Sequence, residues 1–211
     1  LLPIMLSVLI SGVVAAENEI LDVFNYSSSS EIVEIDIEIP QFKDNFNQGD
    51  KYNQEFINNG LDFAFDLQGI AARDHESMKG EEWEFRPYNV TIRYELEKYD
   101  DLVSLNFYHY QYTGGAHGLT HKFSYNIDKE TGQKLELDDF LDRTDLTLKD
   151  INDAIQDDIK ANPAAYYSDL DFTGIGRDHD YYLRDSVLVI YFQQYEIAPY
   201  ASGFPEIEIR Y

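Results

Sequence analysis

The sequence predicts an α+β fold: an antiparallel meander sheet with packed helices, arranged in two parts. Short runs with alternating apolar and polar residues recur along the chain, which is the period of half-buried strands. Two segments have helical spacing instead. The resulting order of β, α, several β, α, β and β is typical of an antiparallel sheet that carries helices.

The first predicted strand lies in "EIVEIDIEIP". Apolar residues occupy every second position and acidic residues stand between them, namely Val33, Ile35, Ile37 and Ile39 against Glu34, Asp36 and Glu38. One face should therefore join the core while the other is solvated acid. Pro40 should end this strand or place it at a sheet edge.

A helix is predicted from about Asp50 to Met78. Its apolar residues recur at intervals of three and four, and they are Tyr52, Phe56, Phe63, Leu67, Ile70 and Ala71. Gly60 weakens the prediction that this is one unbroken helix.

The middle of the chain predicts a three-stranded meander. The strands are "YNVTIRYELEKY", "LVSLNFYHYQY" and "LTHKFSYNID", which are rich in β-formers. Asp100 and Asp101 form the first turn and "TGGAHG" the second, where the glycines are expected to adopt positive φ.

A second helix and two further strands complete the fold. In "LTLKDINDAIQDDIKANP" an apolar stripe runs from Leu148 to Ile159, Thr147 is the predicted N-cap, and Asn162-Pro163 stops the helix. An aspartate-rich loop, Asp169 to Asp180, precedes the strand in "DSVLVIYFQQYEI". "EIEIRY" is the last strand.

Composition limits the classes of partner. The 211 residues carry 40 acidic and 16 basic side chains, a net charge of -24, which repels nucleic acid and anionic lipid and attracts a cationic partner. A solubility device or an adaptation to a salty habitat would explain the same charge. Because the chain has no cysteine, disulfides, thiolate catalysis and thiolate zinc sites are excluded.

The N-terminal segment indicates export. Residues 1–16 form an uncharged apolar run that ends in small residues, as in a secretory signal peptide cleaved near Ala16. A truncated membrane anchor is the alternative, and without it no membrane contact is expected. The serine run Ser27–Ser30 suggests that residues 17–30 are a linker.

The sequence gives little support for catalysis or for metal binding. His109, His117 and His121 would need to converge on one point to hold a metal, so neither a metal nor another cofactor is predicted. His117 has no nucleophile or orienting acid at a recognisable spacing, and no catalytic residue is assigned. The aspartate-rich loop lacks the spacing and closing glutamate of an EF-hand.

Two loops instead form the candidate binding site. The first is the glycine loop of the hairpin, and the second is "YEIAPYASG", in which tyrosines flank a rigid Ala-Pro segment that can present aromatic anchors. The candidate residues are Tyr112, Thr113, Gly114, Gly115, Ala116, His117 and Gly118, together with Tyr195, Glu196, Pro199 and Tyr200.

Residues 31–211 resemble one family, and the resemblance rests on these two loops together with Asn126, Asp128 and Thr131-Gly132. It is the extracellular module shared by PdaC-type peptidoglycan deacetylases and RsiV-type anti-sigma factors. The resemblance implies a PdaC-like part at 31–141 and an RsiV-like part at 142–211. In the anti-sigma factors this module lies outside the membrane and binds lysozyme.

The resemblance implies an exported cell-envelope module that binds lysozyme, another basic protein or a cell-wall glycan. The sequence contains neither the Asp-His-His metal motif of the deacetylase domain nor a sigma-binding segment, so deacetylation and signalling are not carried over. A structural envelope protein ranks second. A peptidoglycan-modifying enzyme that uses His117 ranks third.

Overall fold

The structure is a computed structural model that describes residues 19–80, 84–99, 101–185 and 187–210. Within these ranges the strands and α-helices are, in chain order, β1 (Leu21–Ser29), β2 (Val33–Phe42), α1 (Gly49–Ser77), β3 (Tyr88–Tyr99), β4 (Leu102–Tyr112), β5 (Leu119–Asp128), α2 (Leu137–Leu141), α3 (Leu148–Ala161), β6 (Tyr181–Arg184), β7 (Val187–Tyr191) and β8 (Glu206–Ile209). None of the described helices is long and apolar enough to span a membrane. The leader or anchor predicted at 1–16 lies outside the described residues.

Strands β1 to β5 form one sheet in chain order. The predicted meander is confirmed, since β3, β4 and β5 pair antiparallel. Strands β2 and β3 are parallel, however, because α1 carries the chain back to the same end of the sheet before β3 begins. The fold is α+β as predicted, with one parallel pair in the larger sheet.

The assignment of residues 17–30 to a linker is wrong for residues 21–29, which form β1. Its serines pair with β2, where Ser28 lies opposite Ile35. Phe24 and Tyr26 pack against the core from alternate positions of β1. The serine run could still form a strand because β1 is an edge, where polar side chains remain in water.

Helix α1 covers one face of the sheet without interruption from Gly49 to Ser77. Gly60 does not break it but lets it approach β2, since a Cβ there would lie 2.5 Å from Cδ1 of Ile39. Gly60 and Ala64 are buried in the helix contact, whereas Ile70, placed in the predicted stripe, is exposed.

Strands β6, β7 and β8 form a second, antiparallel sheet, and α3 packs near β8. The predicted cap is confirmed: the Asp150 amide donates to Thr147 Oγ1 at 3.2 Å, and the Thr147 amide donates to the Asp150 carboxylate at 3.0 Å. Helix α3 ends at Ala161, before Asn162-Pro163. Strand β6 was not predicted, because its four residues follow directly on the aspartate-rich loop.

Buried polar contacts join the two sheets. The Leu183 amide of β6 donates to Ser104 Oγ at 3.1 Å, and Asn126 Nδ2 donates to the Tyr181 carbonyl at 2.9 Å. Lys122 of β5 reaches across to Glu206 of β8, with Nζ 2.6 Å from Oε1. The second sheet is therefore fixed against the face of the first sheet opposite α1.

Candidate functional site

The glycine loop, residues 113–118, joins the end of β4 to the start of β5. Its backbone does not match the prediction of positive φ throughout, because only Gly114, at +83°, adopts it. Gly118 is required for a different reason: a Cβ there would lie 2.3 Å from ring atoms of Tyr110. Nothing lies within 4 Å of the corresponding position on Gly115.

Two glutamines bring the second loop against β5. Gln193 Oε1 accepts from the Lys122 amide at 3.1 Å, while its Nε2 donates to the Lys122 carbonyl at 2.6 Å. Gln194 Oε1 accepts from the Thr120 amide at 2.9 Å. Because β5 is the last strand of its sheet, these side-chain amides satisfy backbone groups that a further strand would otherwise pair.

His117 lies where the two loops meet. Its Nδ1 is 2.9 Å from the Gly118 carbonyl and its Nε2 is 3.1 Å from the Tyr195 hydroxyl. Since a carbonyl can only accept, Nδ1 carries the proton in the neutral ring and Nε2 accepts from Tyr195. The imidazole also stacks on Tyr200, with ring centroids 4.0 Å apart and planes inclined by 21°.

This contact is open to solvent. Tyr195 is 47% exposed and His117 is exposed as well. Tyr195 has a φ of +68°, which is uncommon for a residue other than glycine. We call the three rings, His117, Tyr195 and Tyr200, the signature site.

The flanking candidate residues support the second loop rather than join the rings. The Glu196 carboxylate accepts from the Gln193 amide at 2.7 Å and so closes the turn between them. Pro199 precedes the short 3₁₀ turn Tyr200–Ser202 that presents Tyr200. Neither has a ring contact with His117 among the described residues.

The other candidate residues lie on the far side of the glycine loop. Thr113, Gly114, Gly115 and Ala116 line a cavity of about 380 Å³ together with Met78, Glu84, Phe85, Arg86 and Tyr88. A hydrogen bond to Tyr112 raises the pKa of Arg86, and the Tyr112 hydroxyl also donates to the Gly115 carbonyl. Burial, with a hydrogen bond to Asp74, raises the pKa of Tyr88 to about 12. The predicted residues thus divide between two sides of one loop.

The remaining strand histidines do not join the signature site. His109 and His121 lie opposite each other on β4 and β5. His109 packs between Phe63 and Phe123, and burial, with a smaller contribution from the nearby His121, lowers its pKa to about 4. Among the described residues no group of three or more His, Asp or Glu side chains is arranged to hold a metal ion.

Sequence reasoning missed Gln193 and Gln194, which hold the second loop, and Lys122, which joins the sheets. The only signal for the glutamines is their place, two amides directly after the apolar run of β7. Lys122 gives no signal, because a lysine in an alternating strand is ordinarily solvated.

Comparisons with known proteins identify both parts of the chain. The model of the family described as "Deacetylase PdaC" matches residues 26–120, and that of the "Protein of unknown function (DUF3298)" matches residues 138–211. No curated protein matches the chain significantly.

Solved structures of DUF3298 family members share the fold. One from Bacteroides fragilis is 20% identical, with a TM-score of 0.59 over 90% of each chain. Another from Pseudomonas aeruginosa is 18% identical, with a TM-score of 0.56 over 90% of this chain and 91% of its own. The glycine loop and the "YEIAPYASG" loop thus lie in a chain that combines a region of the PdaC family with one of the DUF3298 family, the two-part module they resemble.

Proposed function

We propose that the protein is an exported cell-envelope binding module that recognises a cationic protein such as lysozyme through the signature site. The observation that carries this proposal is the contact between two loops whose residues His117 and Tyr195 are 78 positions apart in sequence. They bring an imidazole and two phenol rings together at the surface. Export rests on the apolar run at residues 1–16 and on the family resemblance.

The chemistry of the three rings suits a protein partner. Tyrosine is enriched among the residues that dominate binding energy, because it buries a large area while keeping a hydroxyl for a hydrogen bond. Here the rings are held before any partner arrives, by the His117–Tyr200 stack and the Tyr195 hydrogen bond. Little conformational freedom is then lost on binding.

Charge favours a basic partner. The net charge of -24 attracts a cationic protein over a distance of about 8 Å at physiological salt. This attraction raises the rate of association and should weaken as salt is added.

The structural alternative is that the two loops only brace the fold. Gln193 and Gln194 already anchor the second loop on β5 through three hydrogen bonds. The exposed Tyr195 is not needed for that anchoring. Binding is therefore the better explanation of why aromatic side chains are displayed there.

The enzyme alternative is the weakest. A general base needs a free nitrogen directed at a substrate proton and an acid that orients the ring. In His117 the ring is oriented by a backbone carbonyl, and its second nitrogen accepts from Tyr195.

Titration with lysozyme tests the proposal. The binding module should bind at about 20 mM salt and more weakly at about 150 mM, because the attraction between unlike charges is screened. Tyr195→Ala should weaken binding at both, whereas Phe65→Ala, which removes an equally exposed ring from α1, should not. Peptidoglycan fragments test the glycan partner in parallel: their carboxylates are repelled by the negative protein, so their binding should not weaken as salt is added. Absence of lysozyme binding at either salt would falsify the lysozyme proposal.

A further inference from the structure

Apart from the signature site, one face of the larger sheet displays acidic and aromatic side chains in rows. It faces away from α1 and consists of alternate residues of β2, β3 and β4, which are Glu34, Asp36, Glu38, Asn89, Thr91, Arg93, Tyr108, Tyr110 and Tyr112. We call it the open face. We propose that it docks lysine and arginine side chains of the same cationic protein that binds the signature site.

Strand register sets these residues side by side in rows. Asp36 of β2 lies beside Thr91 of β3, which lies opposite Tyr110 of β4. Glu34, Asn89 and Tyr112 form the next row in the same way. Each row thus runs from a carboxylate through a small polar group to a phenol ring.

The opposite face of these strands is not available to a partner. Helix α1 packs on it so closely that a Cβ on Gly60 would lie 2.5 Å from Ile39 and 3.4 Å from Ile92. On the open face, by contrast, Glu34 and Asp36 are exposed and the tyrosines are half-buried.

The second sheet covers this face at its β5 end. There Lys122 of β5 is already held in the way that we propose for lysines docking on the exposed rows. The ammonium of Lys122 lies 5.4 Å from the centroid of the Tyr108 ring and 2.6 Å from a Glu206 oxygen. Rings from the second sheet complete the cage, with Tyr182 at 4.3 Å and Tyr191 at 4.5 Å. A carboxylate and tyrosine faces together stabilise a cation that has lost its water.

A second cation, Arg93 in the same row as Tyr108, also pairs with carboxylates of this face. Arg93 bonds Asp36 and lies 3.8 Å from Glu38. Among the described residues Glu34 has no ion pair. Even with Arg93 in place, the three carboxylates of β2 leave the open face negative, which complements a basic surface.

The open face is continuous with the signature site. Gly118 packs directly on the Tyr110 ring, and the Tyr112 hydroxyl bonds the glycine loop at Gly115. A protein seated on His117 and Tyr200 would therefore extend over the tyrosines of β4 toward β2. This inference rests on the proposed function for its class of partner.

Thr91 is the position at which to test the docking, because it lies between Asp36 and Tyr110. Thr91→Lys adds a cation at the centre of the open face, and Thr91→Gln adds comparable length without charge. Asn58→Lys, on an exposed position of α1, makes the same change in net charge on the far side of the molecule. The three variants and the parent chain would be titrated with lysozyme and with decalysine at low salt.

We expect Thr91→Lys to weaken binding of both probes by about fivefold or more, with Thr91→Gln and Asn58→Lys each within about twofold of the parent. Equal effects of Thr91→Lys and Asn58→Lys would overturn the inference, since overall charge would then explain them. If Tyr195→Ala weakens lysozyme binding while Thr91→Lys does not, the open face is excluded and the proposed function stands. If lysozyme does not bind at all, the proposed function fails. Decalysine then still decides whether the open face holds cations.

Discussion

His117 shows at the scale of one residue how its neighbours decide what a side chain can do. A histidine between glycines is compatible with a base, a metal ligand or a contact residue. The Gly118 carbonyl and the Tyr195 hydroxyl occupy its two nitrogens, and Tyr200 covers one face of the ring. The ring is thereby held as a contact residue at the surface.

The glycines of the loop differ in what a methyl group would do. Gly118→Ala should lower the free energy of unfolding by about 1–3 kcal/mol, because the new Cβ would overlap the Tyr110 ring. Gly115→Ala should change it by less than about 0.5 kcal/mol, since the space there is empty and φ is not positive. Urea unfolding of the two variants measures both values, and equal losses would contradict the packing we describe.

His109 should make the protein less stable in mild acid. Its pKa is about 4 in the folded chain against an ordinary 6.5, so between these values the unfolded chain binds more protons and stability falls as pH falls. Between about pH 7 and about pH 5 the loss from this group is about 2 kcal/mol.

The variant His109→Phe isolates this effect, because phenylalanine fits beside Phe63 and Phe123 but cannot be protonated. Thermal unfolding of parent and variant at the two pH values measures the difference. The parent should lose more stability than the variant on acidification. Parallel losses would show that other groups are responsible.

At the scale of elements, the exposed edge of β5 is completed by side chains instead of a strand. Gln193 both accepts from and donates to the backbone of Lys122, whereas Gln194 only accepts, from Thr120. The position of the second loop, and with it of Tyr195 and Tyr200, depends on these bonds.

The two glutamines should therefore respond differently to the same substitution. Gln193→Glu replaces the amide donor with an oxygen facing the Lys122 carbonyl, and should cost about 1–3 kcal/mol of stability. Gln194→Glu keeps its acceptor and should cost less than about 0.5 kcal/mol. Denaturant unfolding of the two variants and the parent chain measures these losses of stability. A tolerated Gln193→Glu would mean that the loop is held by other contacts.

Some helices and strands could be predicted from the sequence and others could not. Strands of the meander and both long helices could be predicted, because their apolar periodicity continues over ten or more residues. The sequence does not reveal strand β1, because serines fill its last three positions and its apolar residues all lie before them. The four-residue β6 is too short to show a period, and the docking of Gln193 depends on contacts distant in sequence.

At the scale of the whole molecule, Lys122 forms a charged link between the two sheets, beside the hydrogen bonds of Ser104 and Asn126. Only 1% of its side chain is exposed, and its ammonium is compensated by Glu206 and by rings of both sheets. The second loop lies between β7 and β8, so Lys122 helps the two glutamines to hold it beside the glycine loop.

The same substitution at a buried and an exposed lysine tests this link. Lys122→Met should lower the free energy of unfolding by about 1.5–3 kcal/mol, because it removes the buried cation that Glu206 and the tyrosine rings surround. Lys149→Met, whose side chain is 79% exposed in its pair with Asp153, should change it by less than about 1 kcal/mol. Urea unfolding monitored by tyrosine fluorescence gives both, and similar values for the two variants would argue against Lys122 as the link.

The central claim is that the contact between the two loops serves binding rather than stability, and Tyr200→Ala tests it most directly. Lysozyme affinity and the free energy of unfolding would be measured on the same variant. We expect affinity to fall by about tenfold or more, the effect of losing an aromatic anchor, while stability falls by less than about 1.5 kcal/mol. The opposite result, a large loss of stability with lysozyme affinity unchanged, would contradict the claim and make the stacked rings a structural brace.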